Sequence, residues 1–209
     1  MDTDLLEGVT WFRGSSVRIR REGIEVHVDP IGLDGEDDGE ADYILLTHPH
    51  YDNFSEDDIA RVRTPSTVVV APASMKKLLT DADHFMRPGD LLQLEGLDVL
   101  AVPAYNVEKK FHPLESGWLG YVFTLRGITY YHAGDTDLID EMHSVRCDVA
   151  FLPVEGHYTM GADEAALAAQ ACGARLVVPI HWSEGGSAEE ARALAARSDI
   201  AVRLLGRGA

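Results

Sequence analysis

The run Tyr43-Ile44-Leu45-Leu46-Thr47 constrains the fold more than any other part of the chain. It is the length of a strand and continuously apolar rather than alternating, so as a strand it must bury both faces. A sheet holding such a strand has to be covered on both sides, which excludes a flat antiparallel sheet with one wet face. The run passes straight into a loop of polar and ionisable side chains, His48-Pro49-His50-Tyr51-Asp52-Asn53. Residues 176–180 form a second buried run, and they too end in a histidine, His181.

Shorter β-rich stretches surround these two. Residues 9–12, 17–20 and 24–28, with Gly14 and Gly23 near the bends, read as an antiparallel meander that Asp29-Pro30 closes. Residues 91–94 and 97–102 read as a hairpin turned near Gly96, and 119–125 with 128–132 as another; further strands are expected at 67–70, 149–152 and 200–205. Ser55 with Asp58 marks a helix start, 73–79 and the alanine-rich 163–171 read as helices, and Ser187 with Glu190 forms a capping box opening a helix to about Arg197. The Gly- and acid-rich stretch 32–40 reads as a solvated loop. Strands lead and helices follow in each half, which predicts an α/β fold of two mixed sheets packed face to face with helices outside. With 209 residues and no linker or short repeat, one domain spanning 1–209 is expected.

Eighteen basic against 35 acidic residues give a net charge of −17, which repels a phosphate backbone and makes nucleic acid an unfavourable partner. The cations are 14 Arg and only four Lys, a skew read here as an acidic, halophilic surface screened by a salt-rich cytosol. No apolar run approaches the roughly 18 residues of a membrane span, and Met1-Asp2-Thr3-Asp4 lacks the character of a secretory signal, so a cytoplasmic protein is expected. Cys147 and Cys172 are isolated in sequence and read as two small buried hydrophobes.

Chemistry concentrates at strand ends. His48 and His50, at i and i+2, can converge on one cation, and Asp52 is close enough to act as a ligand or a base. One loop seldom supplies a whole coordination set. The rest is expected from His132-Ala133-Gly134-Asp135-Thr136, after the strand 128–132, and from Pro179-Ile180-His181-Trp182. His27, His84 and His143 read as structural or solvated, and Trp118 as core.

The order of these motifs resembles the metallo-β-lactamase-fold hydrolases. The H-x-H-x-D-H motif of that family is similar to His48-Pro49-His50-Tyr51-Asp52-Asn53, its later G-D to Gly134-Asp135, and its last strand-end His to His181. Val102-Pro103-Ala104-Tyr105-Asn106, Phe111-His112-Pro113 and Tyr158-Thr159-Met160 resemble the short branch that includes L-ascorbate-6-phosphate-lactonase-like proteins. The resemblance implies a four-layer αββα sandwich with a metal site at one edge between the sheets. It implies that His48 and His50 hold a first divalent ion, zinc before manganese or iron, that Asp135 bridges to a second, and that Asp52 and His181 hold that second one. His112 is the nearest imidazole for the third first-site position, with Asn106 as a supporting or weak oxygen ligand. Asp29 would be a buried carboxylate tying down the histidine loop.

Two departures bear on the count of ions. Asn53 stands where the family has a second-site His, and Arg13-Gly14-Ser15-Ser16 replaces the family's Gly-His-Ala-Ser; one or two ions are therefore compatible with the chain, and His132 and His157 are further imidazoles that can support or compensate. Tyr105, Tyr158 and Trp182 neighbour the motifs and are candidates for a substrate pocket. The expected chemistry is hydrolysis of an ester, lactone or phosphoester of a small metabolite by hydroxide generated on the metal, with Asp52 moving the proton. The alternatives are a nuclease or phosphodiesterase of the same fold and a non-catalytic domain whose metal site has partly decayed.

Overall fold

The computed structural model describes residues 4–33, 39–182 and 188–208. Six strands form one sheet in chain order: β1 (Val9–Trp11), β2 (Val17–Arg21), β3 (Ile24–Val28), β4 (Ala41–Leu45), β5 (Arg63–Pro72) and β6 (His84–Met86). Seven form the other, again in chain order: β7 (Leu91–Leu94), β8 (Leu97–Pro103), β9 (Leu119–Leu125), β10 (Ile128–His132), β11 (Val149–Pro153), β12 (Leu176–Ile180) and β13 (Ala201–Val202). Both sheets are mixed in the same way. Antiparallel pairing runs through β1–β3 and through β7–β10, and every later neighbour is parallel.

The two-residue period of a strand sorts side chains between layers. On β4, Tyr43 and Leu45 enter the core between the sheets while Ile44 enters the core beneath α1 (Glu56–Val62). On β11, Val149 and Phe151 point between the sheets, and Ala150 and Leu152 face α2 (Ala162–Ala171) and α3 (Glu189–Arg197). Three cores therefore separate four layers, helix, sheet, sheet, helix, as expected. Four buried alanines of α2, Ala165, Ala166, Ala168 and Ala169, let that helix lie close on its sheet.

Most element types follow the sequence reading, with local exceptions. Residues 73–77 form a 3₁₀ segment rather than an α-helix, and β13 is two residues rather than six. β6 is not among the strands expected from the sequence; it is a three-residue strand whose pairing with Val70–Pro72 of β5 is tertiary and leaves no local pattern. Ser55 caps α1 as expected, its Oγ accepting from Asp58 N at 3.1 Å. The Ser187 capping box and residues 34–38 of the acid-rich loop lie outside the described residues. Cys147 and Cys172 are buried as expected, yet not isolated in space, their sulfurs lying 3.8 Å apart. Among the described residues, no helix is long and apolar enough to cross a membrane.

Candidate metal centre

The carboxyl ends of β3, β4, β8, β10 and β12 gather at one edge, where the sheets are tied directly: Tyr121 Oη donates to Leu46 O at 2.6 Å and Leu119 N to Thr47 O at 3.1 Å. This closeness has a backbone requirement. Gly134 takes φ +65°, and a Cβ there would sit 2.8 Å from Leu119 O, so the turn carrying Asp135 accepts only glycine.

His48, His50 and His112 come together, one ring nitrogen of each lying within 4.8 Å of the others. Asp135 Oδ2 lies 3.6 Å from His48 Nε2 and 3.5 Å from His112 Nε2. Ligands at about 2.0–2.1 Å from one tetrahedral ion stand about 3.3–3.5 Å apart, close to the separation of Asp135 Oδ2 from His48 and His112. His181 Nε2 lies 3.1 Å from Asp135 Oδ2 and 3.6 Å from Asp52 Oδ2, bridging the two carboxylates.

Neighbouring hydrogen bonds select the ring tautomers. Thr47 Oγ1 donates to Asp29 Oδ2 at 2.5 Å, so its oxygen is left to accept from His48 Nδ1–H at 2.9 Å. Asn106 Oδ1 has no proton to give; it accepts from His112 N at 3.0 Å and from His112 Nδ1–H at 3.3 Å, while Asn106 Nδ2 donates to Asp137 Oδ1 and Tyr158 O. Both imidazoles are thereby left with a bare Nε2 lone pair. Those two atoms are buried without a hydrogen-bond partner among the described residues, a costly arrangement unless a cation completes it. The donor set of neutral imidazoles and a carboxylate fits a divalent ion of the zinc kind.

Charge follows from burial and neighbours. Burial pushes His48 down to about 3 and lowers His50, so both stay neutral. Burial alone would raise Asp135, but the charged ring of His181 beside it outweighs burial and holds that carboxyl well below the usual range. Burial likewise opposes protonation of His181, and Asp135 and Asp52 overcome it, raising the ring well above its ordinary value. The hydrogen bond with His181 keeps Asp52 low.

The remaining residues expected at the site divide sharply. Asn106 holds the His112 ring rather than facing the cluster as a ligand. His132 spends both nitrogens, donating Nε2–H to Ser15 O at 2.8 Å and accepting Gly134 N at Nδ1, so it supports the Asp135 turn. His157 is exposed, with its ring against Phe111 and Tyr158. Tyr158 and Trp182 line the cleft, but Tyr105 turns its hydroxyl to Glu141 Oε2 at 3.1 Å and does not. Asp29 is fully buried and accepts from Thr47 N, Thr47 Oγ1 and Asn53 Nδ2, tying down the histidine loop. Sequence reasoning missed Trp118: its ring lies 4.6–5.4 Å from all three clustered imidazoles and forms their wall. The adjacent Leu119 strand start made it look like core; only the cross-sheet geometry brings it to the histidines. Tyr51 and Phe111 also line the cleft, and Arg13 and Glu155 line its outer part.

A family model described as a beta-lactamase superfamily domain matches residues 8–181. The chain belongs to the beta-lactamase superfamily. It is 32% identical over 198 residues to the UPF0173 metal-dependent hydrolase of Methanoregula boonei, covering 88% of each chain, and 34% identical over 193 residues to that of Geobacillus sp., covering 84% of this chain and 85% of the other. Among solved structures, a protein of Parabacteroides distasonis assigned as a metal-dependent hydrolase superposes with a TM-score of 0.84 at 31% identity, covering 94% of this chain and 91% of that one. The Igni18 metallo hydrolase of Ignicoccus hospitalis shares the fold, with a TM-score of 0.78 at 23% identity over 96% and 95% of the two chains. As a superfamily member and a metal-dependent hydrolase, the protein departs from the resembling motif at Asn53. There the side chain turns its NH₂ toward Asp29 Oδ2 at 3.1 Å and Asp135 Oδ1 at 3.5 Å.

Proposed function

We propose that this superfamily hydrolase uses a single divalent ion, zinc before manganese or iron, held by His48, His50, His112 and Asp135, to cleave a carboxylic ester or lactone of a small metabolite. The observation that carries the reading is the pair of buried, proton-free Nε2 atoms of His48 and His112 facing Asp135 Oδ2. When bound, the ion would acidify coordinated water toward a pKa of about 7 and polarise the scissile carbonyl. Asp135 Oδ1 accepts from Ser15 Oγ at 3.1 Å and is approached by the Asn53 amide, so Oδ2, which also meets His181, is the oxygen turned toward His48 and His112. That arrangement supports one ion rather than two, and it gives His181 a different task from coordination. Lying between Oδ2 of Asp52 and Oδ2 of Asp135, the ring orients Asp52 at the cleft. Asp52, half-buried and ionised, accepts a proton from attacking water and returns it to the leaving oxygen.

A phosphoester is the less favoured substrate, because the nearby cation Lys109 is held by Asp137 Oδ1 at 2.5 Å and Thr159 O at 3.0 Å. The net charge of −17 also weighs against a polyanionic substrate such as a nucleic acid. The test is metal analysis of the purified protein followed by an ester, lactone and phosphodiester panel with added zinc or manganese. One ion per chain and ester or lactone turnover are expected, both lost when His48 and His50 become Ala. Asn53→His should raise the stoichiometry toward two. Turnover that survives loss of the two histidines would end this mechanism.

A further inference from the structure

Resting on that reading, we propose that the substrate carries an uncharged apolar arm, alkyl or aryl, which lies against Tyr51, Phe111 and Tyr158 beside the scissile carbonyl. These three side chains line one cavity of about 190 Å³ together with His50, Asp52, His112, Asp135 and His181. All three are exposed, at 87%, 41% and 43%, on a chain whose other large aromatics are mostly buried. Exposed apolar side chains scattered singly need no explanation, but three converging on the mouth of a metal centre do. Phe111 and Tyr158 are packed edge to face at 4.6 Å, with His157 against both rings, so the wall is built before anything binds.

Apart from the aromatic wall, the lining is carboxylate and imidazole, Asp52, Asp135, His50, His112 and His181, with no lysine or arginine among the described residues there to pair with an anionic arm. Beyond Asp52 and His181 the cleft continues into a second space of about 260 Å³, where Trp182 joins Tyr51 and Tyr158 and where Arg13 and Glu155 sit. Polar parts of the substrate are directed there, away from the Phe111 wall. The occupant is a part of the substrate rather than a protein partner because the aromatic wall is continuous with the ligand cluster.

The experiment measures binding of linear alkyl hydroxamic acids, acetyl to octanoyl, to the metal-loaded full-length protein by calorimetry, since the headgroup, neutral in solution, releases its proton and chelates the ion as the hydroxamate whether or not esters are turned over. The Kd is expected to tighten about two- to fourfold per added methylene until the wall is covered. Phe111→Ala should flatten that dependence and Phe111→Leu should restore most of it. A Kd independent of chain length, or a dependence that Phe111→Ala leaves unchanged, overturns the apolar arm even if esters are hydrolysed. A chain-length dependence without ester or lactone turnover would instead uphold the arm and overturn the ester and lactone reading, and failure of every hydroxamate to bind would overturn both the arm and the metal site behind that reading.

Discussion

Asp29 and Asp135 follow matching strands: each stands after the last antiparallel strand of its sheet, β3 or β10, where parallel pairing begins. Both are buried, and the Asn53 amide lies between them. Their ionisation nevertheless diverges. Burial pushes Asp29 up to about 7 against the pull of Thr47 and Asn53, whereas the charged His181 ring beside Asp135 holds it far down. Neutral donors pin a carboxylate in place without making it a strong anion; a charged imidazole beside it keeps it ionised. Burial alone therefore separates neither a scaffold group from a reactive one nor the reverse.

Asp135→Asn should break the contrast at its centre. Metal affinity should fall by more than the roughly 10–100-fold that follows loss of an outer hydrogen-bond partner, with turnover falling in parallel, as read by metal titration and kcat/KM. Asn106→Ala, which frees the His112 ring without touching either carboxylate, should cost about 10–100-fold in metal affinity. Asp29→Asn should leave the ion bound but weaken the fold by about 1–3 kcal/mol in denaturant unfolding. If it stripped the metal as fully as Asp135→Asn, the two carboxylates would not differ in kind.

The smallest effect is a slope. A carboxyl raised to about 7 in the fold favours the native state most below its ordinary 3.8, and that contribution is lost as pH rises toward 7. His132 is pushed by burial from 6.5 down to about 4, so its contribution has the opposite sign: present above 6.5 and lost as pH falls toward 4. In the metal-free protein the two partly cancel between pH 4 and 7. Asp29→Asn should therefore give a steeper rise of stability with pH over that window than the parent chain, and an unchanged slope would mean that Asp29 does not titrate there.

The layers were legible because period-two patterning is written locally. Tyr43, Ile44 and Leu45 announce a strand with two dry faces, and they have them. The convergence of His48, His50, Asp52, Asp135 and His181 was legible for a related reason, since each stands just past a readable strand. What could not be read was the work of residues whose partners lie far along the chain. Asn106 read equally as support or as a weak ligand because its bond to the His112 ring spans a loop, Tyr105 looked like pocket lining until its hydroxyl met Glu141, and Trp118 looked like core until three imidazoles were folded against it. β6 escaped because three residues paired to a distant strand carry no period of their own.

His48 and His50 extend from one sheet, while His112 and Asp135 extend from loops of the other. A cation gripping all four would rivet the two halves of the sandwich together at a single point, so its affinity would count toward holding the halves closed. Chelation should then act as a mild denaturant at that rim, with exchange of amide hydrogens quickening first at Leu46, Thr47 and Leu119.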